Sequence, residues 1–166
     1  MTATYEKIAT TTLGSAAGST TFTSISGSYT DLVLVMNITG VSTGGYAAGV
    51  QFNSDTGSNY SVTNLYGNGS SAASTRTSGA NIAYIYGTDL GIANAMSTNI
   101  TNFQNYSNTT TYKTFLTRSG QAGSGTMANV GLWRSTSAIT SIKIEIYTGT
   151  FSIGSMFTLY GILKEA

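Results

Sequence analysis

Six residues are the chain's whole stock of carboxylates: Glu6, Asp31, Asp55, Asp89, Glu145 and Glu165. A hydrolase working with paired carboxylates needs two of them across a cleft, roughly 5–10 Å apart, in complementary acid and base roles. The local contexts read differently. Asp31 and Glu145 lie beside or within strand-like runs, where a solvated, strand-flanking role is the simpler reading. Asp55 and Asp89 stand in SDTG and TDLG, turn contexts in which aspartate bonds nearby backbone. A serine nucleophile needs an activating base, yet the sequence has no His and no Ser-x-x-Lys. Cys is absent as well, which excludes disulfides and thiolate ligands. The group that most resembles a cation loop is Asn53, Asp55 and Asn59 in NSDTGSN, closely spaced oxygens with a glycine at the bend. One carboxylate among neutral ligands makes a weak site. The expectation is therefore no catalytic residue, no metal and no cofactor.

Aromatic side chains are the better candidates for contact. If Val130 and Leu132 face a core, the strand alternation turns Trp133 outward, where it can anchor a partner or stack on a sugar. A strand buried on both faces, or bulged at Gly131, would place Trp133 in the core, the usual fate of tryptophan. Tyr84 and Tyr86, with Tyr106 and Tyr112, suit an interface or a glycan groove, and equally ordinary sheet packing. Six Asn-x-Ser/Thr triplets occur, at Asn37, Asn59, Asn68, Asn99, Asn105 and Asn108. With 12 Asn, 29 Thr and 22 Ser in the chain, about four would arise by chance, so they say little.

The elements that must hold these residues are legible in the composition. Only 8% of 166 residues are charged, with 7 basic and 6 acidic, for a net charge of +1. A typical chain is roughly a quarter charged. Near-neutrality offers no basic field for nucleic acid or anionic lipid, so neither is expected as a partner. No run of about 18 apolar residues is present to span a membrane, and Met1 to Leu13 does not read as a secretory signal. Apolar residues reach 40% and sit in strand-like runs, which outweighs the disorder that low charge can signal.

Strands are expected at Thr4–Thr12, Thr20–Ile25, Asp31–Thr39 and Tyr46–Phe52. Others follow at Asn81–Tyr86, Ser97–Tyr106, Tyr112–Arg118, Met127–Arg134, Thr140–Thr148 and Ser155–Leu163. DLVLVMNIT is apolar on both faces, the mark of a central strand. In TSIKIEIYT, Ile142, Ile144 and Ile146 alternate with Lys143, Glu145 and Tyr147, the pattern of a half-buried strand. Between Asn53 and Ala80 the sequence predicts a long irregular stretch, with a short strand at Tyr60–Tyr66 and a turn at Asn68-Gly69. Turn signals every 8–12 residues predict an all-β, single-domain, jelly-roll-like β-sandwich over residues 1–166. Edge strands of such a fold are commonly guarded by Lys or Pro. Here Pro is absent, and only Lys7, Lys113 and Lys143 precede Lys164. With runs such as LVLVMNI and IKIEIY present, a simple resolution is that other subunits cover edges and faces in a homo-oligomer or fixed assembly.

The opening TYEKIATTTLGSAAGSTTFTSISGSYTDLVLVMN resembles small structural proteins of tailed bacteriophages, especially those of aquatic hosts. DTGSNYS, NTTTYKTFLTRSG, GLWRSTSAITSIKI and FTLYGI extend the resemblance over most of the chain. It implies a non-enzymatic virion component of β-sandwich type, made in the host cytoplasm and carried on the capsid surface or tail. The foremost expectation is a capsid decoration or cement protein, bound to the major capsid protein or neighbouring virion proteins. A tail-fibre or receptor-binding module recognising host surface carbohydrate is the alternative.

Overall fold

The computed structural model describes residues 4–41, 47–86 and 96–163. Among them the chain is strands and turns. The strands are β1 (Tyr5–Thr12), β2 (Ser19–Phe22), β3 (Asp31–Ile38), β4 (Ala48–Phe52), β5 (Tyr60–Gly67) and β6 (Ala72–Ala80). They continue with β7 (Ala83–Tyr86), β8 (Ser97–Phe103), β9 (Lys113–Gln121), β10 (Gly125–Trp133), β11 (Ile142–Ile146) and β12 (Met156–Ile162).

All pairings are antiparallel and form two sheets, ordered β1-β12-β3-β8-β9-β10-β5-β6 and β2-β11-β4-β7. Without the two hairpins β5–β6 and β9–β10, the sheets reduce to β1-β12-β3-β8 facing β2-β11-β4-β7. Chain order then alternates between the sheets at β1–β2, β3–β4, β7–β8 and β11–β12, the strand order of a jelly roll. The fold is an all-β sandwich of this kind, with the larger sheet widened by two inserted hairpins.

Strand alternation places the core. Leu32, Leu34, Met36 and Ile38 of β3 point between the sheets and are fully buried, opposite Val50, Phe52, Ile142 and Ile144 of the smaller sheet. On β11 the isoleucines face inward, while Lys143 and Glu145 pair outside at 2.7 Å. β3 is central, as its sequence predicts, with Val33 buried and Val35 half-buried on the outer face.

Two expectations are corrected. Residues 53–80 are largely a hairpin, because β6 pairs with β5 from Gly67↔Ala72 to Tyr60↔Ala80. Its turn forms where Asn68-Gly69 signalled one: the Asn68 side-chain oxygen accepts N–H bonds from Ser70 at 3.0 Å and Ser71 at 2.8 Å, and Gly69 takes φ +85°. AASTRTSGA has no apolar alternation to announce a strand; backbone pairing to β5 makes it one. Lys113 does not guard an edge. It lies on interior strand β9, fully buried, with Nζ donating to the Thr111 carbonyl at 2.8 Å and the Thr136 carbonyl at 3.1 Å. Burial pushes its ammonium pKa down.

Gly131 is required by close packing: a Cβ there would sit inside the ring of Phe115 on the neighbouring strand. Gly131→Ala is expected to cost about 2–3 kcal/mol, the range of an overpacked core, measured as a lower urea midpoint. Val130→Ala, at an outward-facing position 43% exposed, should cost less than half of that.

Candidate functional site

The widened part of the large sheet carries the residues that sequence singled out, and its inner face changes character along the strands. At one end lies an aromatic hub. Phe52, from β4 of the smaller sheet, touches Tyr60 of β5, Phe103 of β8, Phe115 of β9 and Trp133 of β10 at ring-centroid distances of 5.3–6.0 Å. Tyr60 and Trp133 stack at 6.4 Å with 14° between their planes. Such contacts add roughly 0.5–1.5 kcal/mol each beyond burial.

Trp133 is therefore in the core, 2% exposed, and not a surface anchor. Neither a bulge at Gly131 nor a doubly covered strand explains this. The register of β10 is unbroken across Gly131, and Val130 and Leu132 are the outward set, so alternation sends Trp133 inward. Its indole N–H donates to Asp55 Oδ2 at 2.7 Å. The same carboxylate accepts the Asn59 side-chain N–H on Oδ2 at 2.8 Å and the Gly57 backbone N–H on Oδ1 at 2.8 Å. Tyr60 Oη donates to the Asp55 carbonyl at 3.0 Å and accepts the Phe52 N–H at 3.0 Å.

Asp55 is thus a structural node that ties the β4–β5 turn to the end of β10. Partial burial pushes its carboxyl up, but hydrogen bonds from Trp133, Asn59 and Gly57 outweigh that and hold it below the ordinary value of 3.8. Burial pushes the Tyr60 phenol up to about 12. Asn53 faces away from this cluster: its amide N–H donates to the Ala138 carbonyl, and its oxygen accepts N–H groups of Thr140 and Ser141. The NSDTGSN oxygens do not converge on a cation position, and no acidic metal-ligand cluster is found among the described residues.

The remaining candidates are scattered. Tyr84 lies on the outer face of the smaller sheet, edge-on to the exposed Tyr147 at 6.0 Å. Burial, then the neighbouring Tyr147 and Glu145, push its phenol pKa up. Trp133 and Tyr84 thus do not share a surface. Tyr86 pairs through its backbone with Ala48 on β7, and its side chain lies outside the described residues, as does Asp89. Tyr106 is buried, its hydroxyl donating to the Ser26 carbonyl. Asp31 accepts the Asn105 N–H at 2.6 Å, and Glu145 is ion-paired, so these acids do not meet in a cleft.

Beyond the hub, the same inner face turns polar. One register row reads Thr101, Thr117, Asn129, Asn64 and Thr75 across β8, β9, β10, β5 and β6. Asn99 and Ser119 lie in the next row, and Gln121 ends β9. At the β8 side the bonds close on themselves. Thr101 donates to Asn99 Oδ1 at 3.0 Å, which leaves Thr117 to donate to Thr101 at 3.0 Å, while Asn99 Nδ2 donates to the Ile85 carbonyl at 2.8 Å. Further out this fails. Asn129 and Gln121 are each 4% exposed with neither amide atom partnered, and Asn64 leaves its Oδ1 unpartnered. Each orphaned buried amide costs on the order of 1–3 kcal/mol, so three on one face of the sheet ask for an explanation beyond packing. Sequence offered no signal here, since small polar residues occur throughout.

Neither a protein-family model nor a curated protein matches the sequence. Among solved structures, the chain is similar to the Caenorhabditis elegans galectin LEC-6 at TM-score 0.43 and 10% identity, over 90% of this chain and 94% of that one. It is also similar to the marine PL-14 alginate lyase from Aplysia kurodai at TM-score 0.32 and 10% identity, over 85% of this chain and 72% of that one.

Two outcomes are expected from this geometry. Asp55→Ala strips a charged acceptor from a buried indole and should cost about 3 kcal/mol. The lone Trp reports it directly as a change in fluorescence. In the wild type, an acid held low when folded contributes stability above its unfolded value of 3.8 and loses it as pH falls through the folded value. The unfolding midpoint should therefore drop below about pH 4, and that part of the drop should vanish in the variant. Asn129→Leu, similar in size but without polar atoms, should stabilise the chain by about 1–2 kcal/mol in urea titrations.

Proposed function

We propose that the chain is a non-enzymatic virion structural protein, a capsid decoration or cement protein that binds the assembled coat and stabilises it. The observation that carries this reading is the free flank of the widened sheet. β6 is the last strand of the sheet, nine residues long, with Ala72 to Ala80 exposed or half-exposed. It carries neither Lys nor Pro to discourage pairing. Beside it, Leu65, Leu116 and Val130 stand 59%, 45% and 43% exposed on the outer face. A chain with net charge +1 that leaves these surfaces open is suited to a fixed place in an assembly. A protein that binds only the assembled lattice stabilises it by linkage, without chemistry. The four described acids fit that role, because Asp31, Asp55 and Glu145 are engaged in hydrogen bonds or an ion pair and Glu6 hydrogen-bonds Tyr29.

A second reading is favoured by the polar inner row. Asn129 and Asn64 in this row, and Gln121 two rows on, carry neutral donors and acceptors without partners on the face that holds Tyr66. That chemistry is suited to a polyhydroxylated ligand in a receptor-binding module once the face opens to admit it, since these atoms are buried.

Copies of the chain per purified virus particle, counted by quantitative mass spectrometry against the major coat protein, separate the two. A ratio near one per coat subunit, or a simple fraction of it, is expected for decoration. A few to a few dozen copies would move the chain to the tail and make a glycan-binding assay with Asn129→Leu as control the next step. Absence from particles would overturn both readings.

A further inference from the structure

The four strands of the two inserted hairpins segregate charge. Residues 60–80 and 113–134 hold Arg76, Lys113, Arg118 and Arg134 and no Asp or Glu. Lys113 points inward, but the register puts Arg76 and Arg118 on the outer face, both exposed. One outer row runs Arg76, Thr63, Val130, Leu116, Asn102. The next runs Ser74, Leu65, Ala128, Arg118, Ile100. A groove of about 460 Å³ is floored by Leu65, Leu116, Ala128 and Val130 and lined by Arg118, and Arg76 stands beside it, paired in register with Thr63 of its lining. Arg76 and Arg118 sit three strands apart, roughly 15 Å at the usual strand spacing. Among the described residues neither has an ion-pair partner. Asp31, on the outer face at the start of β3, is engaged by the Asn105 N–H.

We propose that this outer face is a docking surface for a protein segment that presents apolar side chains between two carboxylates. Its apolar residues would cover Leu65, Leu116 and Val130, and its carboxylates would meet the guanidinium groups of Arg76 and Arg118. Arginine is suited to this, because its planar fork binds carboxylate in two hydrogen bonds. The apolar floor selects against simple polyanions, which would leave it wet, and the unopposed positive charge selects against a neutral partner. A second copy of the chain would bring Arg76 and Arg118 of both faces together without an acid to separate them, which disfavours self-association here. The inference deepens the coat-binding reading by stating the chemistry of the coat segment, and particle copy number tests that reading separately.

The experiment is a titration of the full ¹⁵N-labelled chain with a capped peptide holding two glutamates separated by four residues, two of them leucine. The same peptide with glutamines, and hexaglutamate, serve as controls. The glutamate peptide is expected to shift the amides of Leu65, Leu116, Arg118 and Val130. Binding should weaken at least tenfold in Arg76→Glu/Arg118→Glu and at least tenfold for the glutamine peptide. Leu116→Ser/Val130→Ser, also surface changes, should weaken it while leaving any hexaglutamate binding untouched. Equal binding of the glutamine peptide, equal binding of hexaglutamate, shifts that map elsewhere, or no binding would each overturn the inference. So would a concentration-dependent dimer built on this face. A chain present at coat stoichiometry in particles but indifferent to the peptide would overturn this inference alone.

Discussion

Two sheets that bury one core are held together by the side chains that cross it, and here the widened part of the larger sheet is held by the ring of Phe52. It reaches from the smaller sheet into a pocket formed by four strands of the larger one. Three of those strands, β5, β9 and β10, belong to the inserted hairpins. Without Phe52 and its neighbours, the hairpins would extend past the jelly roll with little apolar contact to hold them. The carboxylate of Asp55 fixes the hub from outside by binding the indole N–H of Trp133. A buried aromatic N–H needs a partner, and a short turn after β4 brings the acceptor to it. One acid of only six in the sequence is used here for cohesion.

The smaller sheet has four strands and the larger has eight. The two faces of the added hairpins differ in chemistry. Facing inward, apolar side chains give way to Thr117, Asn129, Asn64 and Thr75, and Thr117 and Asn129 are buried there. Facing outward, Leu65, Leu116 and Val130 remain exposed between two arginines. The extension is thus the part of the molecule least satisfied by its own packing, on either face and along the β6 edge. Surfaces of that kind are usually completed by a ligand or a neighbour. The two proposed roles, in assembly and in sugar recognition, both draw on it, from opposite faces.

Much of the sandwich was legible in the residues themselves. β3 and β11 announce themselves by unbroken or alternating apolar runs, and eleven of the twelve strands lie within or close to segments that period-2 patterning marks out. β6 was not legible, because AASTRTSGA buries no apolar face; it is a strand by virtue of what β5 offers along its edge. Trp133 could be read in either direction, because the choice between Val130/Leu132 and Gly131/Trp133 as the inward set depends on which side of the strand Phe52 approaches.

The sequence by itself determined the class of the protein: β-strands without helices among the described residues, little charge, and no cysteine or histidine chemistry. Those are local and compositional properties, carried by side-chain type and alternation. Tertiary structure alone decided that Asp55 meets Trp133 78 positions away. It also decided that Asn64 and Asn129 share one row, and that Arg118 lines a groove with Arg76 beside Thr63 of its lining. Each depends on sheet register between strands far apart in the chain. A shift of one residue would send every such side chain to the opposite face, and no local pattern records that choice.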